Sequence, residues 1–319
     1  MDKIPVVAVI GPTASGKTAL SVELALRMNG EIISADSMQI YKHMDIATAK
    51  PTEEEKQGVP HHLMDFLDPC EAFSVARYCE LAKPIIADIA DRGKLPILVG
   101  GTGLYVDSLL GNVTFTETET DPALRAALQR ELDELGVDAM LEKIRAFDPA
   151  SAERLAVGRN PKRIVRCIEV YRATGLTQTQ LNAAQTALPS PYRAIKIGLT
   201  AADRDFLYER IDRRVDIMLD NGLLEEARAF YGDASSQTAS AAIGYKELLP
   251  YLLGEKSLEE CVENLKRSTR RYAKRQLTWF RRDPSVHWFE IDRLSFEEIL
   301  SAASELISKD CHYGKISNP

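Results

Sequence analysis

The chain has 319 residues, 45% of them hydrophobic, and carries 40 Lys and Arg against 47 Asp and Glu, a net charge of −7. That composition excludes a low-complexity or disordered chain, and no apolar run approaches the ~20 residues of a membrane-spanning helix. The five cysteines form no C-x-x-C pair and the five histidines offer only the adjacent His61-His62, read as a loop feature, so zinc is not expected. Free thiols and the absence of a signal-peptide pattern lead to the expectation of a reducing, cytoplasmic setting.

The first strand is expected at 4–10 and ends on the apolar run Val6-Val7-Ala8-Val9-Ile10. It delivers Gly11-Pro12-Thr13-Ala14-Ser15-Gly16-Lys17-Thr18, which meets the phosphate-binding pattern G-x-x-x-x-G-K-[ST] at every fixed position, and a helical pattern follows. Glycines let successive backbone N–H groups curl around an anion, and the helix N-terminus adds partial positive charge. Lys17 supplies a mobile cation and the Thr18 hydroxyl a ligand for Mg²⁺.

A second strand at 31–35 carries Asp36-Ser37-Met38-Gln39 to its carboxyl end. Prolines 51, 60 and 69 mark the stretch 42–69 as irregular, a helix is expected over 73–92, and a third strand at 95–99 ends in Gly100-Gly101-Thr102-Gly103 before a short helix at 104–110. Alternation of this kind predicts an α/β fold, a P-loop-type parallel sheet covered by helices, with its ligand outside the carboxyl ends of the strands. Residues 1–112 are the first part of this core.

Residues 113–190 have a different texture. An acidic linker over 114–120 precedes Asp121-Pro122, an N-cap and a first-turn proline. Helices are expected to about Gly136 and over 138–147, 149–155, 161–174 and 177–187, with no strand among them. This is an inserted all-helical lobe. The core resumes over 191–319: a strand at 193–199, helices at 203–222, 223–231, 240–253 and 258–282, a strand at 286–291, a closing helix at 296–308 and a frayed tail.

Asp36, at a strand tip beside the phosphate loop, is suited to take a proton, to hold Mg²⁺ through water, or to cap its turn. On the helix after the fourth strand, Arg214 is the favoured cation for charge developing on a leaving diphosphate. Lys266, Arg267, Arg270, Arg271, Lys274, Arg275, Arg281 and Arg282 fall within 17 positions that hold no Asp or Glu. Like charges so placed point to an anionic partner, and Lys162, Arg163 and Arg166 form a smaller cluster on the lobe. Two basic surfaces beside a diphosphate cleft suggest a clamped nucleic acid.

The ordered series Gly-Pro-Thr-Ala-Ser-Gly-Lys-Thr at 11–18, Ala-Asp-Ser-Met-Gln-Ile-Tyr at 35–41, Met-Asp-Ile-Ala-Thr-Ala-Lys-Pro at 44–51, Val-Pro-His-His-Leu at 59–63, Gly-Gly-Thr-Gly-Leu-Tyr at 100–105, Ile-Gly-Tyr-Lys at 243–246 and Thr-Arg-Arg-Tyr-Ala-Lys-Arg-Gln at 269–276 resembles the bacterial tRNA dimethylallyltransferases (tRNA isopentenyltransferases) over nearly the whole chain. The departures, Ala47 and Ala242, fall where glycine or another small residue is familiar, and no C-terminal zinc finger is expected. The resemblance implies transfer of a five-carbon group from dimethylallyl diphosphate to the exocyclic amine of the adenosine 3′ of the tRNA anticodon. It implies that Gly11, Thr13, Ala14, Ser15, Gly16, Lys17 and Thr18 hold the diphosphate with Mg²⁺ on Thr18, and that Asp36, Thr102 and Arg214 are catalytic. Asp36, Ser37, Met38, Gln39 and Thr102 would contact the target nucleotide. Arg125, Asn160, Arg163, Arg166, Gly244, Tyr245, Lys246, Arg270, Arg271 and Lys274 would hold the anticodon arm. No membrane and no obligate protein partner are implied, and a monomer is expected. A small-molecule kinase using the same loop, and a nucleotide-gated RNA-binding switch, are the rival readings.

Overall fold

The structure, a computed structural model, describes residues 3–113, 115, 121–184, 189–232, 237–240 and 242–311. The acidic linker over 114–120, apart from residue 115, and the tail from 312 onward lie outside the described residues. The chain divides into two compact units, Met1–Gly111 with Ser190–Pro319, and Asn112–Pro189.

In the first unit, β1 (Ile4–Ile10) has its last five residues buried, as an apolar run covered on both faces must. The phosphate-type loop turns it into α1 (Lys17–Met28), and Asn29 in the left-handed conformation ends that helix. Then come β2 (Gly30–Ser34), α2 (Glu53–Lys56), β3 (His61–His62), α3 (Val75–Asp91), β4 (Leu95–Gly100) and α4 (Gly103–Leu110). The strand β3 corrects the loop expectation for His61-His62. Both residues pair in parallel with β2, and His62 Nε2 lies 2.8 Å from Oε2 of Glu31, a buried carboxylate that also accepts from Arg92 and Lys94. A two-residue strand has too short a pattern to be read from sequence.

In the second unit, α5 (Pro122–Phe147) is capped by Asp121, whose carboxylate accepts from the Ala123 and Leu124 amides. It breaks at Gly136 (φ 79°), where the sequence puts the first helix end. It is followed by α6 (Pro149–Gly158), α7 (Pro161–Thr174) and α8 (Gln178–Ala184), with residues 185–188 outside the described set. Leu128, Met140, Ile144, Ile164 and Ile168 lie at the centre of its apolar core.

The first unit resumes with β5 (Tyr192–Thr200), α9 (Arg204–Asp220), α10 (Leu223–Gly232), α11 (Gln237–Ser240), α12 (Tyr245–Leu252), α13 (Leu258–Phe280), β6 (Val286–Glu290) and α14 (Phe296–Cys311). The single helix expected over 240–253 is interrupted by Gly244 at φ 118°, which only glycine adopts at low cost. The closing helix continues to Cys311 rather than fraying at 309. Among the described residues the strands form one six-stranded sheet in the order β3-β2-β4-β1-β5-β6, every pair parallel. Leu20 and Leu24 of α1 and Leu300, Ala303 and Ile307 of α14 cover one face in a common core with β1 and β4. Because β4 lies between β2 and β1, the turns after these three strands emerge side by side at one sheet edge.

Candidate active site

The loop between β1 and α1 is shaped by its glycines. Gly11 has φ 144°, and a Cβ there would lie 2.5 Å from the Leu199 carbonyl oxygen, while Gly16 at φ 90° starts α1 with no side chain capping its amides. Lys17 Nζ donates to the Pro12 carbonyl at 2.6 Å, and the Ser15 hydroxyl donates to the same oxygen at 2.8 Å. Burial pushes the Lys17 ammonium down to about 7, the Arg214 cation pushes in the same direction, and the Asp36 carboxylate opposes both. Burial likewise lowers the pKa of Arg214, with Asp36 again opposing. Lys17, Arg214 and Asp36 therefore feel one another's charge across the sheet edge. From the same face of α9, Arg210 donates Nε to the Ala14 carbonyl at 2.9 Å, a brace on the loop that sequence reasoning passed over in favour of Arg214.

Asp36 follows β2 and organises its own turn. Its Oδ1 accepts the Met38 amide at 2.9 Å and the Gln39 amide at 3.4 Å. Capping thus occupies one carboxylate oxygen, while Oδ2 makes no hydrogen bond among the described residues. Thr102, after β4, accepts the Ser37 amide on Oγ1 at 3.1 Å, and its own amide donates to the Ala35 carbonyl at 3.2 Å. The glycines beside it are packing glycines: a Cβ on Gly100 would meet the Ala35 oxygen at 2.2 Å, and one on Gly103 the Trp279 ring at 2.1 Å. Gln39 accepts from the Ser34 hydroxyl and donates to the Thr48 and Ala49 carbonyls, each at 3.2 Å.

The helix α13 closes the site. Tyr272 lies near Asp36 and Thr102; burial and the Asp36 charge hold its phenol well above the usual range. Gln276 accepts the Thr13 amide and donates to the Gly101 carbonyl. Helical spacing puts both, with Leu265 and Trp279, on a face of α13 apart from its basic one, the pattern of a face docked on the core. The alternation of apolar and polar residues on that face signals docking, without revealing its target.

The basic positions of α13 separate into two groups. Lys266 pairs with Asp216 at 2.7 Å and Arg270 with Asp212 at 2.5 Å, both acids on α9, so two of the cations are neutralised within the unit. Arg267, Arg271, Lys274 and Arg275 are exposed. Tyr245 requires a correction. It is 0% exposed in the core around Ile40 and Leu248, and its hydroxyl donates to Glu226 at 2.8 Å, so its side chain is structural rather than an RNA contact. Gly244 donates its amide to Glu247 at 3.0 Å as the entry to α12, and Lys246 is half-exposed.

In the other unit, Arg125 and Arg166 both pair with the buried Glu169, at 2.8 and 2.9 Å. Asn160 caps α7 by accepting the Arg163 amide, and the Arg163 side chain is exposed.

Sheet order, loop and edge turns together define a P-loop-type α/β enzyme whose site is built for a phosphate-bearing substrate. The IPP transferase profile matches residues 39–283 and the isopentenyl transferase profile residues 4–65. The chain is 50% identical over 295 residues to a tRNA dimethylallyltransferase of Acetivibrio thermocellus, covering 92% of this chain and 94% of the relative. It is 49% identical over 290 residues to one of Bacillus subtilis, covering 91% of each. The crystal structure of a full-length tRNA isopentenylpyrophosphate transferase from Bacillus halodurans superposes with a TM-score of 0.72 at 44% identity, covering 96% of both chains. A eukaryotic dimethylallyltransferase acting on tRNA gives a TM-score of 0.79 at 29% identity over 96% of this chain and 80% of that one. The chain belongs to the tRNA dimethylallyltransferase family, a family of prenyltransferases, and these likenesses favour prenyl transfer over the kinase reading.

Proposed function

We propose that the chain joins the dimethylallyl group of dimethylallyl diphosphate to the exocyclic amine of the adenosine 3′ of the anticodon in tRNA. The nitrogen–carbon bond forms as the carbon–oxygen bond to diphosphate breaks, and the amine proton passes to Asp36. The observation that carries this reading is the meeting at one sheet edge of the phosphate loop after β1 with the turn that holds Asp36 after β2, a turn tied to Thr102 after β4 by the Ser37 amide. An anion-binding loop beside a carboxylate suits a reaction that sheds a proton on one side and an anion on the other.

The loop residues Gly11 and Thr13 to Thr18, through the amides of 14–18 that follow the Gln276-bound Thr13 amide, and the cations Lys17 and Arg214 hold the diphosphate. Its arrival restores the charge that burial suppresses on Lys17. An adenine amine is a weak nucleophile, so stabilising the departing group carries much of the rate. Thr102 fixes the Ser37 amide, and with it the turn that presents Asp36. Ser37, Met38 and Gln39 receive the nucleotide, whose place in a single-stranded loop lowers the cost of turning it into the site. Arg163, Lys246, Arg271 and Lys274 hold the anticodon arm. A tRNA substrate puts the reaction in the cytoplasm.

No group of three or more His, Cys, Asp or Glu able to cage a metal occurs among the described residues. Mg²⁺ fits nonetheless, because it takes one or two protein oxygens and completes its shell with phosphate and water, and the Thr18 hydroxyl makes no hydrogen bond among the described residues, while Asp36 Oδ2 is left for the proton. When bound, the ion would neutralise diphosphate charge. The test is incubation of the protein with labelled dimethylallyl diphosphate and unmodified tRNA, then nucleoside analysis. Label on adenosine is expected. Label passing instead from the γ-phosphate of ATP to a small molecule overturns the reading.

A further inference from the structure

We propose that Gln276 is a positioning residue for the diphosphate: it locks the phosphate loop and the turn after β4 into one relation. The proposal rests on the reading that this loop holds diphosphate. The Gln276 side chain is 5% exposed, its Oε1 accepts the Thr13 amide at 2.9 Å, and its Nε2 donates to the Gly101 carbonyl at 3.1 Å. A carboxamide accepts at one head and donates at the other, so with both heads engaged it has a single orientation. Breaking either bond leaves a buried polar group unsatisfied.

The two partners belong to different turns, 263 and 175 residues from Gln276 in sequence, and the amide ties both to α13. The close fit also explains Gly101, where a Cβ would lie 1.9 Å from Nε2. One helical turn further, Trp279 packs on Gly103 and donates Nε1 to Asp107 at 2.7 Å, so α13 is registered on the turn after β4 at more than one point. Of these contacts, Gln276 alone reaches the phosphate loop. The Thr13 amide, committed to Gln276, fixes how the following amides curl. Gln276 needs no contact with substrate for this; it acts through the loop.

The test compares Gln276→Met, which keeps length and loses both bonds, with Gln276→Glu, which keeps the acceptor and loses the donor to Gly101. Inorganic diphosphate affinity is measured by calorimetry, tRNA affinity by filter binding, and KM for dimethylallyl diphosphate by prenyl transfer. Gln276→Met is expected to weaken diphosphate binding and raise that KM about tenfold, with tRNA affinity within about twofold of the parent. In Gln276→Glu the deficit relative to the parent at the same pH is expected to shrink between about pH 8 and pH 6, as the carboxyl regains a donor proton. Diphosphate affinity within about twofold of the parent in both variants, or equal losses toward diphosphate and tRNA, overturns the proposal. A parent protein that binds diphosphate yet prenylates no tRNA counts against the proposed reaction and leaves the Gln276 comparison readable by calorimetry.

Discussion

The Ser37 amide donates to Thr102 Oγ1 at 3.1 Å, joining the turn after β2 to the turn after β4 across neighbouring strands. Asp36 is held in place from both sides: its own Oδ1 cradles the amides that follow, and Thr102 secures the residue next to it.

Asp36→Asn keeps the acceptor oxygen for the Met38 and Gln39 amides and removes the base. Prenyl transfer is expected to fall by about 10²-fold or more while tRNA binding persists. Thr102→Val, which removes the acceptor for Ser37, is expected to lower kcat about tenfold, with Thr102→Ser recovering most of it. Single-turnover rates provide the check, and an Asp36→Asn protein with parental turnover removes Asp36 from its role.

Lys17 yields a pH prediction. Its folded-state pKa of about 7 lies below its ordinary 10.5, so the unfolded chain binds more protons between those values, and the contribution of Lys17 to stability rises with pH across that window. Diphosphate binding runs the other way, because the anion stabilises the ammonium. Near pH 8, binding is expected to take up a proton, visible as a dependence of calorimetric heat on the ionisation enthalpy of the buffer. Lys17→Met should abolish the uptake, and an equal uptake in that variant would exclude Lys17 as its source.

Adjacent arginines on α13 should behave differently. Arg271 is exposed, and Arg271→Glu is expected to weaken tRNA binding and flatten its salt dependence by about one to two units of slope. Arg270 pairs with Asp212, whose Oδ1 is already buried with no hydrogen-bond partner among the described residues, so Arg270→Ala leaves a carboxylate uncompensated. A loss of about 1–3 kcal/mol in urea unfolding is expected there. Equal effects of the two substitutions on tRNA binding would contradict this division.

Glu226 accepts the amides of Asp45, Ile46 and Ala47 at 2.8–2.9 Å, together with the Tyr245 hydroxyl, so one carboxylate fills a nest of backbone donors. The anchored stretch carries the Thr48 and Ala49 carbonyls that hold Gln39. Glu226→Ala is expected to destabilise the protein by about 2–4 kcal/mol by urea unfolding and to raise KM for tRNA. Tyr245→Phe, which removes one donor and keeps the packed ring, is expected to cost about 1 kcal/mol.

Sequence alone determined the elements whose signals are local. The loop at 11–18, the cap at Asp121, the break at Gly136 and the long buried strands follow from short-range sterics and hydrogen bonding, which a few consecutive residues specify. Strand–helix alternation was enough for a parallel sheet with its ligand edge, and the ordered motifs were enough for the family. Only the tertiary structure decided which polar side chains are committed. Arg270 and Arg271 are neighbours with the same chemistry, and they differ because Asp212, 58 residues away, meets only one of them. Tyr245 sits in a motif that reads as functional, yet the packing of α10 and α12 buries it. Gln276 is one polar residue on a docked helix face until the fold brings Thr13 and Gly101 to its two heads. Ion pairs and bridging hydrogen bonds depend on distances between segments far apart in sequence, and those distances are set only when the sheet and its covering helices pack.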